Sequence, residues 1–242
     1  QDLPILLDQL PSVVTTSDAG AGVGYTGIRV RGSDATRVNV TINGIPYNDA
    51  ESQGTFFVDL PDFASSVEDI QLQRGVGTST NGSGAFGASL NLRTLKPSTQ
   101  GYASTSHSVG SFGTRKHSIS LGSGIKKGFY AEGRLSKIAS DGYIDRAFSD
   151  LKSFYTEAGF VSDKTSVKAM AFGGKEITYQ SWYGTPEAVV NNDLAGIRAF
   201  INRNYASDAE ALNLLTSGRT YNYYIYQNQV DNYEQNHFQL HF

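Results

Sequence analysis

The chain has 242 residues, with 20 Lys+Arg, 23 Asp+Glu, no Cys and a formal net charge of −3. That near-neutral balance argues against a surface built to neutralise a phosphate backbone, so nucleic acid is not an expected partner. Without Cys there is no disulfide, thiolate metal site or Cys nucleophile. No run approaches the roughly 18 apolar residues of a membrane-spanning helix, which leaves a β-barrel open. Gln1 opens the sequence without a charged-then-apolar leader, so any export signal is expected to have been removed or to lie outside it.

In chain order, Asp2 suits a helix cap and Pro4 a first turn, with Leu3, Leu6, Leu7 and Leu10 on one face before Pro11. Strand-like segments follow at 27–31, 37–42, 70–74 and 89–93, and Asn43-Gly44 marks a tight turn. The composition then changes. Five of the six prolines lie in residues 1–97, whereas 12 of the 14 tyrosines lie beyond. A boundary is expected at Lys96-Pro97-Ser98, with a compact α+β domain over 1–97.

Beyond it, apolar and polar residues alternate. Phe129, Ala131, Gly133 and Leu135 oppose Tyr130, Glu132, Arg134 and Ser136. The same period appears at 117–121, at 153–161 and where Phe238, Leu240 and Phe242 oppose His237, Gln239 and His241. Period two means strands with one apolar and one polar face. Short connections at 122–127 and 162–165 alternate with a longer one at 140–150 and a very long insertion at 176–232. An outer-membrane barrel has that rhythm, and a soluble sandwich is compatible with it. Thr185-Pro186 starts a helix in the insertion, and Ser207 with Glu210 forms a capping box before Leu212, Leu214 and Leu215.

The motifs give little support to enzymatic chemistry. Gly22 to Gly27 and Gly82 to Gly87 match G-x-G-x-x-G, but strand-like residues follow where a helix must meet a pyrophosphate. Gly77 to Gly82 has Walker-like spacing, with Ser83 where Lys is needed. His237 and His241 stand roughly 13 Å apart on a strand, too far to share a metal. Asp49 and Glu51 read first as a solvated turn. No catalytic set, resident metal or cofactor is expected. The aromatic group at Tyr179, Trp182 and Tyr183, with Tyr221, Tyr223, Tyr224 and Tyr226, suits either an interfacial girdle or a ligand-contacting loop.

Two longer signatures carry a resemblance. Ile28-Arg-Val-Arg31-Gly32 with Arg37-Val-Asn-Val-Thr-Ile-Asn43-Gly44-Ile-Pro46 resembles the plug motif of TonB-dependent outer-membrane receptors. Val67-Glu68-Asp-Ile70-Gln-Leu-Gln-Arg74-Gly75, followed by Asn81-Gly82-Ser-Gly84-Ala-Phe-Gly87-Ala-Ser-Leu-Asn91-Leu92, is similar to the second plug signature, with Val76 where the family usually has Pro. Residues 98–242 resemble the start of the barrel, Gly110-Ser-Phe-Gly-Thr114 included, and look Bacteroidetes-like. The Asp-Ala-Thr at 34–36 resembles the iron-complex type.

The resemblance implies an α+β plug followed by about six antiparallel strands of a transmembrane β-barrel of about 22. Six strands cannot close, so the chain is expected to be the N-terminal portion of a longer outer-membrane receptor, in contact with lipid. It implies that TonB, with ExbB and ExbD, drives import of a scarce nutrient. A ferric siderophore or similar chelate is expected; a glycan or vitamin importer, or a soluble carbohydrate-binding module, is the alternative. Arg31 and Arg74 match plug arginines that pair with barrel carboxylates. The ligand is expected to meet Tyr25, Asp34, Tyr47, Asn48, Asp49 and Glu51 on plug loops, and Tyr179, Trp182 and Tyr183 on an outer loop.

Overall fold

The computed structural model describes residues 2–76 and 85–242. The second glycine motif, the Walker-like spacing and Asn81-Gly82 of the second signature fall wholly or partly outside those residues.

A short helix α1 (Leu3–Leu6) leads into an antiparallel pair, β1 (Val13–Ser17) and β2 (Thr26–Val30). Next comes a four-stranded sheet of β3 (Val38–Ile42), β4 (Ile45–Pro46), β5 (Val67–Arg74) and β6 (Ala88–Thr94), in the order β4-β3-β6-β5. Strand β3 runs parallel to β6 and is buried along its whole length, as a central strand covered on both faces should be. Helix α1 departs from its expected face. Leu3 and Leu7 are buried, but the helix is one turn long, so Leu6 and Leu10 emerge into solvent. Asp2 caps nothing with its side chain, which accepts instead from Thr26 Oγ1 at 3.2 Å.

The second sheet is a six-stranded antiparallel meander: β7 (Tyr102–Val109), β8 (Arg115–Gly122), β9 (Phe129–Ser140), β10 (Ser149–Val161), β11 (Ser166–Tyr179) and β12 (Val230–His241). Each strand pairs with its sequence neighbour, and β7 and β12 are open edges. The long insertion is therefore shorter than expected, because β11 continues through Tyr179 and β12 begins at Val230. It carries α2 (Glu187–Val190), α3 (Leu194–Asn204) and α4 (Asp208–Thr216), the last with the capping box between Ser207 and Glu210. Val189, Ile197, Leu214 and Tyr221 make its own small core.

The meander is inside out for a water-soluble sheet. Phe129, Leu135, Phe238 and Leu240 project outward and are 65%, 59%, 79% and 57% exposed. The opposite face buries Arg134, Ser136, Ser153, Glu157 and Glu176. In water that arrangement leaves a large apolar surface uncovered; in a bilayer it is the required one. What covers the polar face is the plug: Tyr155, Met170 and Phe172 of the sheet join one hydrophobic cluster with Ile28, Val40, Ile42, Phe57, Phe63 and Leu90.

Gly174 sets how closely the two parts meet. A Cβ there would lie 2.5 Å from Pro61 Cδ and 2.7 Å from the Asp59 carbonyl oxygen. Only a residue without a side chain lets the 59–61 segment seat on β11.

Candidate functional site

Between the plug and β12 lies a cavity of about 540 Å³. The plug supplies Tyr25, Tyr47, Asp49, Glu51 and Asp59 to its walls, and β12 supplies Asp231, Tyr233 and Gln235. Each is placed by local structure. Tyr25 ends the glycine-rich loop before β2, where Val23 and Tyr25 pack with Val58, Ile138 and Leu151. Tyr47 leaves β4 immediately after the Asn43-Gly44 turn; its hydroxyl donates to Gln235 Oε1 at 3.1 Å and its ring lies 4.9 Å from that of His237. Asp49 accepts from the backbone N–H groups of Glu51 and Ser52, at 3.1 and 2.6 Å, folding the 49–54 loop back on itself.

The site is acidic and partly buried. Tyr25 donates its hydroxyl to the Asp231 carboxylate, and Glu176 Oε1 lies 3.4 Å from the same hydroxyl. Burial, then the acceptor Asp231, pushes the Tyr25 phenol up, and burial does the same for Tyr47, so both stay neutral. Burial, reinforced by the charge of Asp231, lifts Asp59 from 3.8 to about 6. Thr55 Oγ1, in the same wall, is buried with no hydrogen-bond partner among the described residues.

The sign of the Asp59 effect is definite. A carboxyl whose folded value is raised binds its proton more tightly folded than unfolded. The Asp59 contribution to plug stability should therefore fall as pH rises from about 4 to about 6 and level off above that, while Asp2, raised by burial to about 7, extends the fall of the whole plug toward neutral pH. Urea unfolding of the plug at pH 4.5 and 7 measures this, and Asp59→Asn should reduce the difference, leaving the part that belongs to Asp2. An unchanged pH dependence in that variant contradicts the assignment.

A separate polar contact holds plug to sheet. Asp62, buried and at φ +56° before a 3₁₀ turn, receives Arg134 Nη1 of β9 at 2.9 Å, Lys116 of β8, and Ser65 Oγ at 2.5 Å. Arg134 Nε also donates to Ser66 Oγ at 2.9 Å. Burial works against the Asp62 charge, but Arg134 and these donors outweigh it and hold the carboxyl below its usual range. Lower down, Lys168 of β11 donates to Thr94 Oγ1 of the plug at 3.1 Å.

Residues 1–89 match the TonB-dependent receptor plug domain family. That decides the assignment of this segment. Those residues are a TonB-dependent receptor plug domain, and the open antiparallel sheet after them has the fold of the first barrel strands of such receptors. No protein of curated function matches the sequence. Solved structures match in fold. The ferric-catecholate import receptor Fiu from E. coli K12 is 17% identical with a TM-score of 0.68, over 99% of this chain and 33% of that one. The siderophore receptor PirA from Acinetobacter baumannii is 19% identical with a TM-score of 0.59, over 74% and 30%. The copper transporter OprC is 16% identical with a TM-score of 0.61, over 74% and 29%. The chain thus spans about a third or less of the length of these receptors.

The expected ligand residues divide into groups. Tyr25, Tyr47, Asp49 and Glu51 meet in the cavity. Trp182 adjoins it, its ring 5.8 Å from that of Tyr25, and Tyr183, Tyr223 and Tyr224 extend the aromatic surface. Asn48 lies behind the wall as a clamp: its Oδ1 accepts from Val40 N, and its Nδ2 donates to the carbonyls of Val38 and Gln53. Asp34 is exposed away from the cavity and caps the 35–37 turn through Thr36.

Tyr179 is not on the outer loop. It ends β11, is buried, and donates to the Tyr226 carbonyl at 2.6 Å. Arg31 and Arg74 are exposed on the plug and pair with no carboxylate among the described residues; Arg74 Nη1 donates to the Pro11 carbonyl at 3.0 Å. Sequence reasoning missed Asp59, Asp62, Arg134 and Asp231 as site residues. Arg134 carried a usable signal, a charge on the face that had to point inward.

Proposed function

We propose that the chain belongs to an importer of a metal-carrying small molecule, most simply a ferric chelate, driven across the outer membrane by TonB with ExbB and ExbD. The observation that carries this reading is the cavity shared by plug loops and β12, since only a site divided in that way couples ligand binding to plug movement. The fold neighbours that carry siderophores, ferric catecholates and copper support the substrate class. In this reading the plug is 1–97 and the barrel begins at 98, and no covalent chemistry takes place. Arg31 and Arg74 face strands later in the barrel and pair with carboxylates there.

The lining narrows the ligand. Asp49, Glu51, Asp59 and Asp231 disfavour a bare polyanion and suit a neutral or cationic chelate, with Tyr25, Tyr47 and Trp182 covering its apolar parts. The exposed rings of Trp182, Tyr183 and Tyr223 also suit stacking on a sugar, so a glycan importer is the second reading. Growth of a deletion strain separates the two. Failure on one chelated iron source with normal growth on glycans supports the first; the reverse pattern overturns it. Trp182→Ala should lower uptake about tenfold or more with barrel assembly intact, as expected when one large aromatic contact is lost. Radiolabelled chelate uptake measures it.

A further inference from the structure

A second feature lies on the other face of the sheet. Registered cross-strand pairs place His107 opposite His117, His117 opposite Lys137, Lys137 opposite Lys152 and Lys152 opposite Lys175. All five point outward and are exposed, and Arg115 stands one row above. The row lies at the end of the apolar band nearest the long connections. Immediately below it come Ile119, Leu135 and Phe154, then Leu121 and Phe238.

Like charges directly opposite on neighbouring strands destabilise a sheet. Three lysines in consecutive register therefore need an outside counter-charge or a compensating one. Compensation is incomplete: Asp150 reaches Lys137 at 3.4 Å and Glu234 lies opposite Lys175, against four cations in the two rows. A shallow groove of about 430 Å³ opens at this boundary, lined among others by His107, His117, Lys137 and Lys152 above and by Ile119 and Leu135 below. Cationic above and aliphatic below, it has the polarity of an anionic amphiphile.

We propose that this row is a binding site for the phosphate-bearing headgroup of an outer-leaflet lipid, whose acyl chains lie against Ile119 and Leu135. The lysine ammonium groups supply point charges to the phosphate oxygens. The proposal rests on the reading that this face lies in lipid with the long connections outward. It does not depend on what the cavity transports.

The test uses the receptor purified from outer membranes in neutral detergent, with native mass spectrometry during titration by phosphatidic acid, phosphatidylcholine or inorganic phosphate. Phosphatidic acid should bind the wild type well ahead of phosphatidylcholine. Combined Lys137→Gln, Lys152→Gln and Lys175→Gln should weaken it on the order of a hundredfold, at about fivefold per lysine. Lys152→Gln alone, in case the triple variant does not assemble, should show the single step. Lys126→Gln with Lys127→Gln, at the opposite end of the sheet, should change nothing. Equal affinity in the triple variant, equal binding of phosphatidylcholine, an equal loss at 126 and 127, or displacement of the lipid by matched inorganic phosphate overturns the proposal. Heat-modifiable migration of every variant shows separately whether the barrel has inserted, so a failure of the membrane reading is distinguishable from a failure of the lipid site.

Discussion

Replacing Arg134 with Met should loosen the plug by about 3–5 kcal/mol, the usual cost of removing one partner from a buried ion pair. Asp62 would then keep Lys116, which is less enclosed than Arg134, and the hydroxyl of Ser65. Most of the loss is the charge of Asp62 left without its bidentate-capable neighbour, so the partner variant matters. Asp62→Asn combined with Arg134→Met should recover much of the loss, because neither charge then remains buried alone. Urea unfolding of the plug, followed by a fluorophore attached near residue 57, gives the two singles and the double. A single-variant loss under about 1 kcal/mol, or strict additivity in the double, contradicts the role assigned to the pair. Entry of large hydrophilic antibiotics should rise in the same order as the instability.

The second large effect is steric. Gly174→Val puts carbon atoms where Pro61 and the Asp59 carbonyl already stand, at 2.5 and 2.7 Å even for the Cβ alone. A proline ring and a backbone carbonyl cannot rotate away, so the 59–61 segment must lift off β11. Overpacking of this kind costs about 1–3 kcal/mol, and the cavity should change shape because Asp59 lines it. Ligand affinity and plug stability should therefore fall together. Gly184→Ala, in open space on the long loop, is the control and should be silent. Hydrogen exchange at residues 57–60 reads the displacement directly; protection equal to wild type in Gly174→Val contradicts the seating.

These two contacts show where the sequence was legible. Period-two alternation at 129–136 and 237–242 assigned the inward and outward faces correctly, because each strand repeats the same choice many times. The strand-like segments at 27–31, 37–42, 70–74 and 89–93 placed β2, β3, β5 and β6 to within a few residues. Strand β11 was harder to see: Gly173, Gly174 and Lys175 interrupt its alternation, and its outer end at 176–179 was absorbed into the long insertion. That shift moved Tyr179 from a wall to a loop. Asp231 was lost for the same reason at the start of β12.

The loop residues show a different limit. Asn48, Asp49 and Asp34 are alike as sequence, polar residues in turns, and each satisfies backbone groups nearby. Whether such a residue also faces a cavity depends on which distant strand lies opposite, and local pattern carries no such information. The ion pair between Asp62 and Arg134 joins residues 72 positions apart, so only the docked plug reveals it.

Everything above depends on the outward face of the meander lying in lipid while its polar face holds the plug. Residues 1–242 contain no cysteine, so in the membrane-embedded receptor, with any cysteine outside these residues replaced by serine, single cysteines at Leu135 and at its neighbour Ser136 can each carry a nitroxide. Collision with dissolved oxygen should be high and collision with a water-soluble nickel chelate low at Leu135, with both low at Ser136. Equal accessibility to the nickel chelate at Leu135 and at an exposed loop site, or lipid-like oxygen collision at Ser136 in place of Leu135, would contradict it.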